Sequence, residues 1–463
     1  MQAVDNSMKQ TDLQQARLQL AEPVVVVGLG KTGLSCARFL AAQGIAFTVV
    51  DSRVNPPGLD TLQGMLPAEK IICGEFRPHQ FDKSGTLIVS PGISIQQPLF
   101  DSARQSGASI IGDIELFARV ANAPIVAITG SNGKSTVTTL VAEMARQANR
   151  QVRVGGNLGE PALELLDESA DLYVLELSSF QLETTDSLDA QVAVILNISE
   201  DHMDRYDDLQ AYVDAKAKIY KGHGCMVANL DDDVVMQVVD QFGLQRNHIN
   251  FSLHLPFENN YGLCPHEGET WLCRGQDVLL PVSKMIIKGT HNVANALAAL
   301  ALGEAIGLSM DAMLAALQSY AGLPHRMQWV TACQGVNWFN DSKATNVGAA
   351  VAAIEGVPAN KVVLIAGGQG KGQDFAPLNA VLRKRVRAVV LMGEDAVLLA
   401  EAVPDTVNVC YATDMGEAIS LAAAYAEQGD AVLLSPACAS FDMFTGYEQR
   451  GDVFMNLVRE ICT

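Results

Sequence analysis

Twice in this chain a run of short, largely β-branched residues breaks into glycines and then opens a helical pattern, in EPVVVVGLGKTG at 22–33 and APIVAITGSNGKST at 123–136. Few folds accept that order. A strand that is apolar at every position has both faces covered, and a glycine turn running into a helix returns the chain across one of them, which makes a parallel α/β unit. After the first turn, LSCARFLAAQG reads as a helix, IAFTVVD as a second strand and TLIVSPGI as a third, in a block reaching about Val120. In the second block, a helix starting near Lys134 places Val137, Leu140, Val141 and Met144 on one buried face, and DLYVLELSS and QVAVILNIS are strands. Residues 250–290 read as short strands or hairpins, and NVANALAALALGEAIG as a helix with Val293, Ala296, Leu297 and Leu300 on one face. GLPHR at 322–326 marks a boundary, and strands at VNWFN, KVVLIAGG, RAVVLMG and AVLLSP alternate with helical segments beyond it. With roughly 150 residues to a domain, 463 residues suit three. The expected architecture is a polar N-terminal tail (1–22) followed by α/β domains at 23–121, 122–324 and 325–463, each with a mainly parallel sheet.

Composition narrows the class of partner. A formal net charge of -20 argues against nucleic-acid binding, which needs clustered cations, but leaves room for small phosphorylated ligands. The nine cysteines are scattered with no CxxC pair, so they read as buried reduced thiols and not as a disulfide framework or a zinc site. The first twenty residues lack an apolar block, and no uncharged apolar run reaches the roughly 20 residues of a membrane span. The expectation is a soluble, cytoplasmic protein.

The most specific local signal is ITGSNGKST. A strand ends, a glycine-rich turn follows, and Lys134, Ser135 and Thr136 open a helix. The loop is shorter than GxxxxGK[ST] but has the same parts: backbone N–H groups for phosphate oxygens, a mobile ammonium, and a hydroxyl able to ligate Mg²⁺. Glu176 ends the strand YVLE and His202 follows the strand VAVIL, so both belong at the carboxyl edge of a parallel sheet, where ligands bind. Lys134, Glu176 and His202 are therefore expected in one crevice. GLGKTG at 28–33 fits GxGxxG, with Asp51 ending the next strand, the Rossmann pattern for a diphosphate with an acid near a ribose. Ser52, Arg53 and the turn Ser90–Pro91–Gly92 belong to the same cleft or are structural turns; the residues alone leave both open.

Together, ITGSNGKSTVTTL, LELSSFQLETT, NISEDHMDRY, GTHNVANALAAL, GLPHR, NDSKATN and LLSPACASFDMF resemble the Mur ligases, from about Pro23 to the end. The likeness leans, through ELSSFQLETT, DHMDRY and SPACAS, to the members that add D-glutamate to UDP-N-acetylmuramoyl-L-alanine. It implies a Rossmann-like first domain holding the uridine diphosphate end of the acceptor through Lys31, Thr32, Asp51, Ser52, Arg53, Ser90, Pro91 and Gly92, with Asn157 also touching it. It implies a P-loop ATPase as central domain, binding ATP through Gly130, Ser131, Asn132, Gly133, Lys134, Ser135 and Thr136, with Asn292 and Asn295. His325, Arg326 and Asp341 would meet ATP from a Rossmann-like third domain, which offers D-glutamate Lys343, Thr345, Lys371, Ser440 and Tyr447. Lys31 and Tyr447 depart from the aliphatic residue and the phenylalanine familiar at those places. Catalysis falls to Lys134, Glu176, His202 and Lys216, and Mg²⁺ to Ser135, Glu176, His202 and Lys216. The last is an exposed helical lysine on its own residues, and only the resemblance makes it a carbamylated metal ligand. GGQGKG (367–372) lacks a hydroxyl after its lysine and a following helix, and reads as a turn carrying Lys371. A monomer is expected. Two rivals are a folylpolyglutamate-synthetase-like ligase, disfavoured by the complete block before the phosphate loop, and an NAD-dependent oxidoreductase, which leaves the second phosphate site without a use.

Overall fold

The β-branched runs form the centres of three sheets in a computed structural model, which describes residues 18–243 and 246–462. The first sheet is parallel throughout, in the order Ile71–Cys73, Phe47–Asp51, Val24–Val27, Thr86–Val89, Ser109–Ile111. Every residue of Val24–Val27 is buried, as a strand covered on both faces requires. The order reverses beside this strand, so the glycine turn after it opens into the crevice at the switch point. Gly33, the last glycine of GLGKTG, lets helix Lys31–Ala42 pack onto the strand's end: a Cβ there would lie 1.8 Å from the Gly28 carbonyl oxygen. Nothing lies within 4 Å of a Cβ built on Gly30, and that space belongs to the cleft described below.

The central sheet has nine strands, in the order Asp277–Pro281, Glu269–Arg274, Tyr261–His266, His248–Phe251, Cys225–Asn229, Val192–Ile195, Ile125–Thr129, Leu172–Glu176, Val152–Gly156. Its register positions the site. Ile128 lies beside Glu176 on one neighbour, and Thr129 beside Ile195 on the other, so three strands end level with one another. The 250–290 region forms the expected hairpins. In helix Lys134–Gln147 the residues Val137, Leu140, Val141 and Met144 are fully buried. Helix Thr290–Ala305 departs from its expected single stripe: residues Asn295 to Gly303 are all buried, because it packs on helices from both the central and third units. Its run of alanines makes that close approach possible.

The third sheet runs Gln328–Cys333, Val336–Asn340, Ala431–Leu434, Val362–Gly367, Val386–Met392, Asn408–Tyr411. It is parallel except for the first pair, an antiparallel edge that the sequence pattern did not reveal. GGQGKG leads into no helix; the next begins at Leu378. Most of the N-terminal tail lies outside the described residues, but its end is not simply polar: Leu18 is buried in the first core, and its carbonyl accepts from Arg119 at 2.6 Å. The cysteine expectation needs correction too. Cys264 and Cys273 form a disulfide, while Cys73 is exposed and Cys36, Cys225 and Cys438 are buried free thiols. In the hairpin Cys264 stands opposite Trp271 and Cys273 opposite Gly262, a diagonal pair on one face that sequence spacing does not disclose. Among the described residues no helix is long and apolar enough to cross a membrane.

Candidate active site

Several helices close their first turn with a side chain: Ser178, Asp208, Asp232, Ser309, Asn346 and Asp414 each accept from an N–H further along. Helices Lys31–Ala42, Lys134–Gln147 and Tyr447–Ile461 begin instead at Gly30, Gly133 and Gly446, with no side-chain cap. One comes from each sheet, and all three open into a single cleft of about 980 Å³, lined by Lys31, Thr32, Ser135 and Tyr447 among others. Uncapped first turns carry free N–H groups and the positive end of the helix dipole, so the cleft is built for anions. A second cavity of about 310 Å³ lies on the other side of the phosphate loop, lined by Asn132, Gly133, Thr136, Asn292, Asn295 and Asp341.

The loop between them is braced from the neighbouring strand. Ser131 N–H donates to the Asn197 carbonyl (2.9 Å), and Asn197 Oδ1 accepts from Asn132 N–H (2.8 Å). Ser131 Oγ faces inward, donating to the Ser199 carbonyl (2.9 Å) and lying 3.1 Å from the Tyr212 hydroxyl, so this side chain braces the loop from within. Gly133 adopts a left-handed φ of 84° and packs so tightly on Asn295 that a Cβ would meet Asn295 Oδ1 at 2.4 Å. Lys134 Nζ donates to the Gly130 and Ser131 carbonyls (2.7 and 2.8 Å). Burial pushes this ammonium down, and the nearby Glu176 and Asp201 charges only partly offset it.

Glu176 is buried; its Oε1 accepts from Asn157 Nδ2 at 2.7 Å, and among the described residues its Oε2 has no hydrogen-bond partner. Lys216 corrects the view of it as an exposed lysine. It is 1% exposed, with Nζ 3.0 Å from the Gly130 carbonyl and 4.6 Å from the Tyr212 ring centre. Burial first, and then repulsion from Lys134, pushes its amine well below the usual lysine range. His202 packs its ring against Phe180 at 4.7 Å beside Asp201, and burial lowers its pKa. Lys134, Glu176 and Lys216 thus converge under the loop, with His202 at its flank. Among the described residues no three His, Cys, Asp or Glu side chains gather into a ready metal cluster.

The third unit makes polar contacts with this loop and with the neighbouring His202 loop. Arg326 donates to Ser135 Oγ (2.8 Å), Asn346 Nδ2 to Asn132 Oδ1 (3.2 Å), and Lys371 Nζ to Asp201 Oδ1 (3.1 Å). Lys343 lies 3.8 Å from the Tyr447 ring centre, and burial together with the Arg326 charge brings its ammonium down to about 8. His325 lines the cleft, but its Nδ1 is hydrogen-bonded to Asn340 at 3.0 Å. Thr345 and Ser440 line neither cavity: Thr345 N–H donates to the Lys343 carbonyl at 2.8 Å, and Ser440 is buried. In the first unit Ser52, Arg53 and Ser90–Gly92 line the cleft. Asp51 does too, but its carboxylate is engaged within the protein, accepting from Leu29 N–H at 2.6 Å and bidentately from Arg53. Burial alone would raise Asp51; the hydrogen bonds from Arg53 and Leu29 outweigh it and hold the carboxyl low. Lys31 Nζ bridges to the Gly159 carbonyl of the central unit at 3.0 Å. Asn197, Asp201, Tyr212 and Asn346 were missed from sequence. Asp201 stands beside His202 in ISEDHMDRY, but only the fold pairs it with Lys371 and Asn346.

Family models match in the same three units: "Mur ligase MurD-like, N-terminal domain" at residues 22–112, "Mur ligase middle domain" at 128–303 and "Mur ligase, glutamate ligase domain" at 325–438. The UDP-N-acetylmuramoylalanine--D-glutamate ligase of Nitrosococcus oceani is 54% identical over 445 residues, 96% of this chain and 98% of its own. This chain belongs to the Mur ligase family. The corresponding ligase of Pseudomonas aeruginosa is 52% identical over 94% of this chain and 98% of its own. Among solved structures, the Thermotoga maritima MurF ligase in complex with ADP superposes with a TM-score of 0.60 at 16% identity, covering 96% of this chain and 97% of that one. At that identity the likeness concerns the fold, and it is the fold of a three-domain Mur ligase. The oxidoreductase alternative falls with the family assignment.

One group of this Mur ligase gives a pH-dependent expectation. The Asp341 carboxyl is buried, and burial raises it to about 7 even though Met327 N–H and Ser435 Oγ donate to it. A folded-state pKa above the unfolded value favours the protonated form, so this contribution to stability is complete below about pH 4 and is lost as pH rises to about 7. Asp341→Asn should therefore gain stability relative to the parent across that window, by up to roughly 4 kcal/mol. Urea unfolding of both proteins at pH 4 and pH 7.5, followed by intrinsic tryptophan fluorescence, checks it; a pH-independent difference contradicts it.

Proposed function

We propose that this Mur ligase adds D-glutamate to UDP-N-acetylmuramoyl-L-alanine with cleavage of ATP, as a cytoplasmic monomer in peptidoglycan precursor synthesis. The observation that carries the proposal is the cleft onto which three uncapped helix N-termini open, one from each unit, because the reaction must gather three anionic partners. The printed name of the 54% identical relative supplies the substrates. The domains are assigned as 23–121 for the acceptor, 122–324 for ATP and 325–463 for the amino acid. The acceptor's diphosphate meets Gly30, Lys31 and the Ser90–Gly92 turn. Its alanyl carboxylate points toward Lys134, and ATP lies along residues 130–136 with Asn292, Asn295 and Asp341 around its nucleoside. D-Glutamate enters from the side of Lys343 and Tyr447, with Thr345, Lys371 and Ser440 supporting that wall.

The chemistry follows from these placements. The acceptor carboxylate attacks the γ-phosphorus, ADP leaves, and an acyl phosphate forms. The neutral amine of D-glutamate then attacks the acyl carbon, phosphate departs, and the amine proton is released. Lys134 is held at the loop, ready to neutralise charge on the transferring phosphoryl group. Contacts of Arg326, Asn346 and Lys371 with the central unit close the third unit over the acyl phosphate and exclude water. Mg²⁺ fits the residues present, since Glu176 Oε2 is a buried oxygen without a partner and Ser135, His202 and a Lys216 carbamate could join it as ligands. When bound, the metal would neutralise phosphate charge. The carbamate itself requires an uncharged amine to add to carbon dioxide with loss of one proton, and the burial of Lys216 favours that uncharged form. Phosphate release from ATP with UDP-N-acetylmuramoyl-L-alanine tests the proposal. It should depend on D-glutamate and be at least about tenfold slower with L-glutamate, L-alanine, L-lysine or meso-diaminopimelate. Equal turnover with a diamino acid would assign the protein to another Mur reaction.

A further inference from the structure

Arg205 of the motif DHMDRY is a side chain that the chemistry above does not use. Arg205 belongs to the turn that follows His202, whose carbonyl accepts from the Arg205 and Tyr206 N–H groups at 2.9 and 3.2 Å. Its guanidinium leaves the central unit and enters the first. Nη1 donates to the Pro91 carbonyl at 3.1 Å, and Nη2 donates to Glu183 Oε2 at 2.8 Å and more weakly to the Ile93 carbonyl at 3.4 Å. The Arg205 and Glu183 side chains are only 12% and 10% exposed, so the pair is largely withdrawn from solvent. The guanidinium carbon also lies 4.4 Å from the Phe180 ring centre, and Phe180 packs at 4.7 Å against the His202 ring. The Ser90–Ile93 turn held in this way faces the large cleft and is fixed on its other side by Ser90 Oγ, which donates to the Gly28 carbonyl at 2.9 Å.

A buried ion pair adds little net stability over an apolar pair of similar size, but it imposes a definite geometry. Here that geometry joins the anion-binding turn of one unit to the His202 loop of another. We propose that Arg205 is a positioning residue: it sets the acceptor-binding turn at a fixed distance from the phosphate loop, so that the carboxylate of the bound sugar nucleotide meets the γ-phosphate. The role rests on the assignment of the Ser90–Gly92 turn to the acceptor. Arginine suits it because its planar fork serves several acceptors at once, two carbonyls and a carboxylate, whereas a lysine ammonium lacks that spread of donors. Because the donors are charged, their loss should weaken acceptor binding by about tenfold or more. A small misplacement of the carboxylate should lower kcat by up to about a hundredfold. The ATP site, built on residues 130–136 and braced by Asn197, does not depend on this bridge.

Arg205→Ala, Arg205→Lys and Glu183→Gln test the idea in the full-length protein, by calorimetric titration with UDP-N-acetylmuramoyl-L-alanine in the absence of ATP and by steady-state kinetics. For Arg205→Ala the expected result is a Kd and KM for the sugar nucleotide raised about tenfold or more, a lowered kcat, and a KM for ATP within about twofold of the parent. Arg205→Lys should recover part of the affinity and Glu183→Gln most of it. An unchanged Kd for the sugar nucleotide in folded Arg205→Ala overturns the proposal, and so does an equal rise in KM for ATP. If Arg205→Ala does not fold, Arg205→Lys decides alone, and parental affinity in it overturns the proposal. Absence of sugar-nucleotide binding by the parent protein would refute the functional assignment instead, which keeps the two failures apart.

Discussion

Lys134→Ala is expected to lower acceptor-dependent phosphate release by about a thousandfold or more, the usual cost of removing a fixed charge from a phosphoryl-transfer site. The fold should not follow. The Lys134 ammonium donates, among the described residues, to the Gly130 and Ser131 carbonyls of its own loop. The loop keeps its shape through other bonds, from Asn197 to Asn132 and from Ser131 to Ser199 and Tyr212. The burial that depresses this ammonium also makes it dispensable for stability, because an alanine there leaves no charge to desolvate. Thermal unfolding within a few degrees of the parent, with turnover nearly abolished, is the expected pair of results. A folded variant with near-parental turnover would remove the loop from the mechanism.

Lys216→Ala should be nearly inactive for a different reason, and chemical rescue separates the two. The Lys216 amine lies beside the Gly130 carbonyl, out of solvent and within range of the Glu176 charge. Loss of its carbamate oxygen should reduce turnover by roughly a hundredfold or more. Acetate or formate can enter the vacancy and supply an oxygen, so activity should rise with their concentration in Lys216→Ala. It should not rise in Lys134→Ala, where a cation was lost. Lys218 is the internal control. It donates to the Glu183 carbonyl at 2.6 Å and lies 3.8 Å from Asp186, away from the loop, so Lys218→Ala should keep most of its turnover. Loss of activity in Lys218→Ala alone would place the ligand on the wrong lysine. Parental activity in both variants would leave this helix without a metal ligand.

Lys216 also marks where the sequence ceases to be legible. Val137, Leu140, Val141 and Met144 reveal one buried face by their spacing, but not that Ser135, Thr136, Thr138, Ala142 and Ala145 of the same helix are buried too, against the sheet and helices Thr290–Ala305 and Met310–Ser319. Glu176 could be found because a polar residue ending an apolar parallel strand has few other places to be. Helix Leu209–Ala217 shows no such stripe, for it buries Tyr212, Val213, Ala215, Lys216 and Ala217 against several elements at once. Nothing in AYVDAKAKIY tells its two lysines apart. The contacts of Arg326 with Ser135, Asn346 with Asn132, and Lys371 with Asp201 join residues far apart in the chain and depend on how two units meet, which local pattern does not encode. Asp51 shows the converse limit. The motif placed it correctly at a strand end, yet its carboxylate is occupied by Arg53 and Leu29.

The central claim is that ATP activates the acceptor's carboxylate before the amine attacks, and the path of one oxygen atom tests it most directly. UDP-N-acetylmuramoyl-L-alanine labelled with ¹⁸O in its alanyl carboxylate is incubated with the protein, ATP, Mg²⁺ and D-glutamate, and the released phosphate is analysed by mass spectrometry. Attack of the carboxylate on the γ-phosphorus, followed by expulsion of phosphate from the acyl carbon, predicts one ¹⁸O in each phosphate formed. Amide product accompanied by unlabelled phosphate would contradict the account, because the carboxylate would then never have been joined to phosphorus.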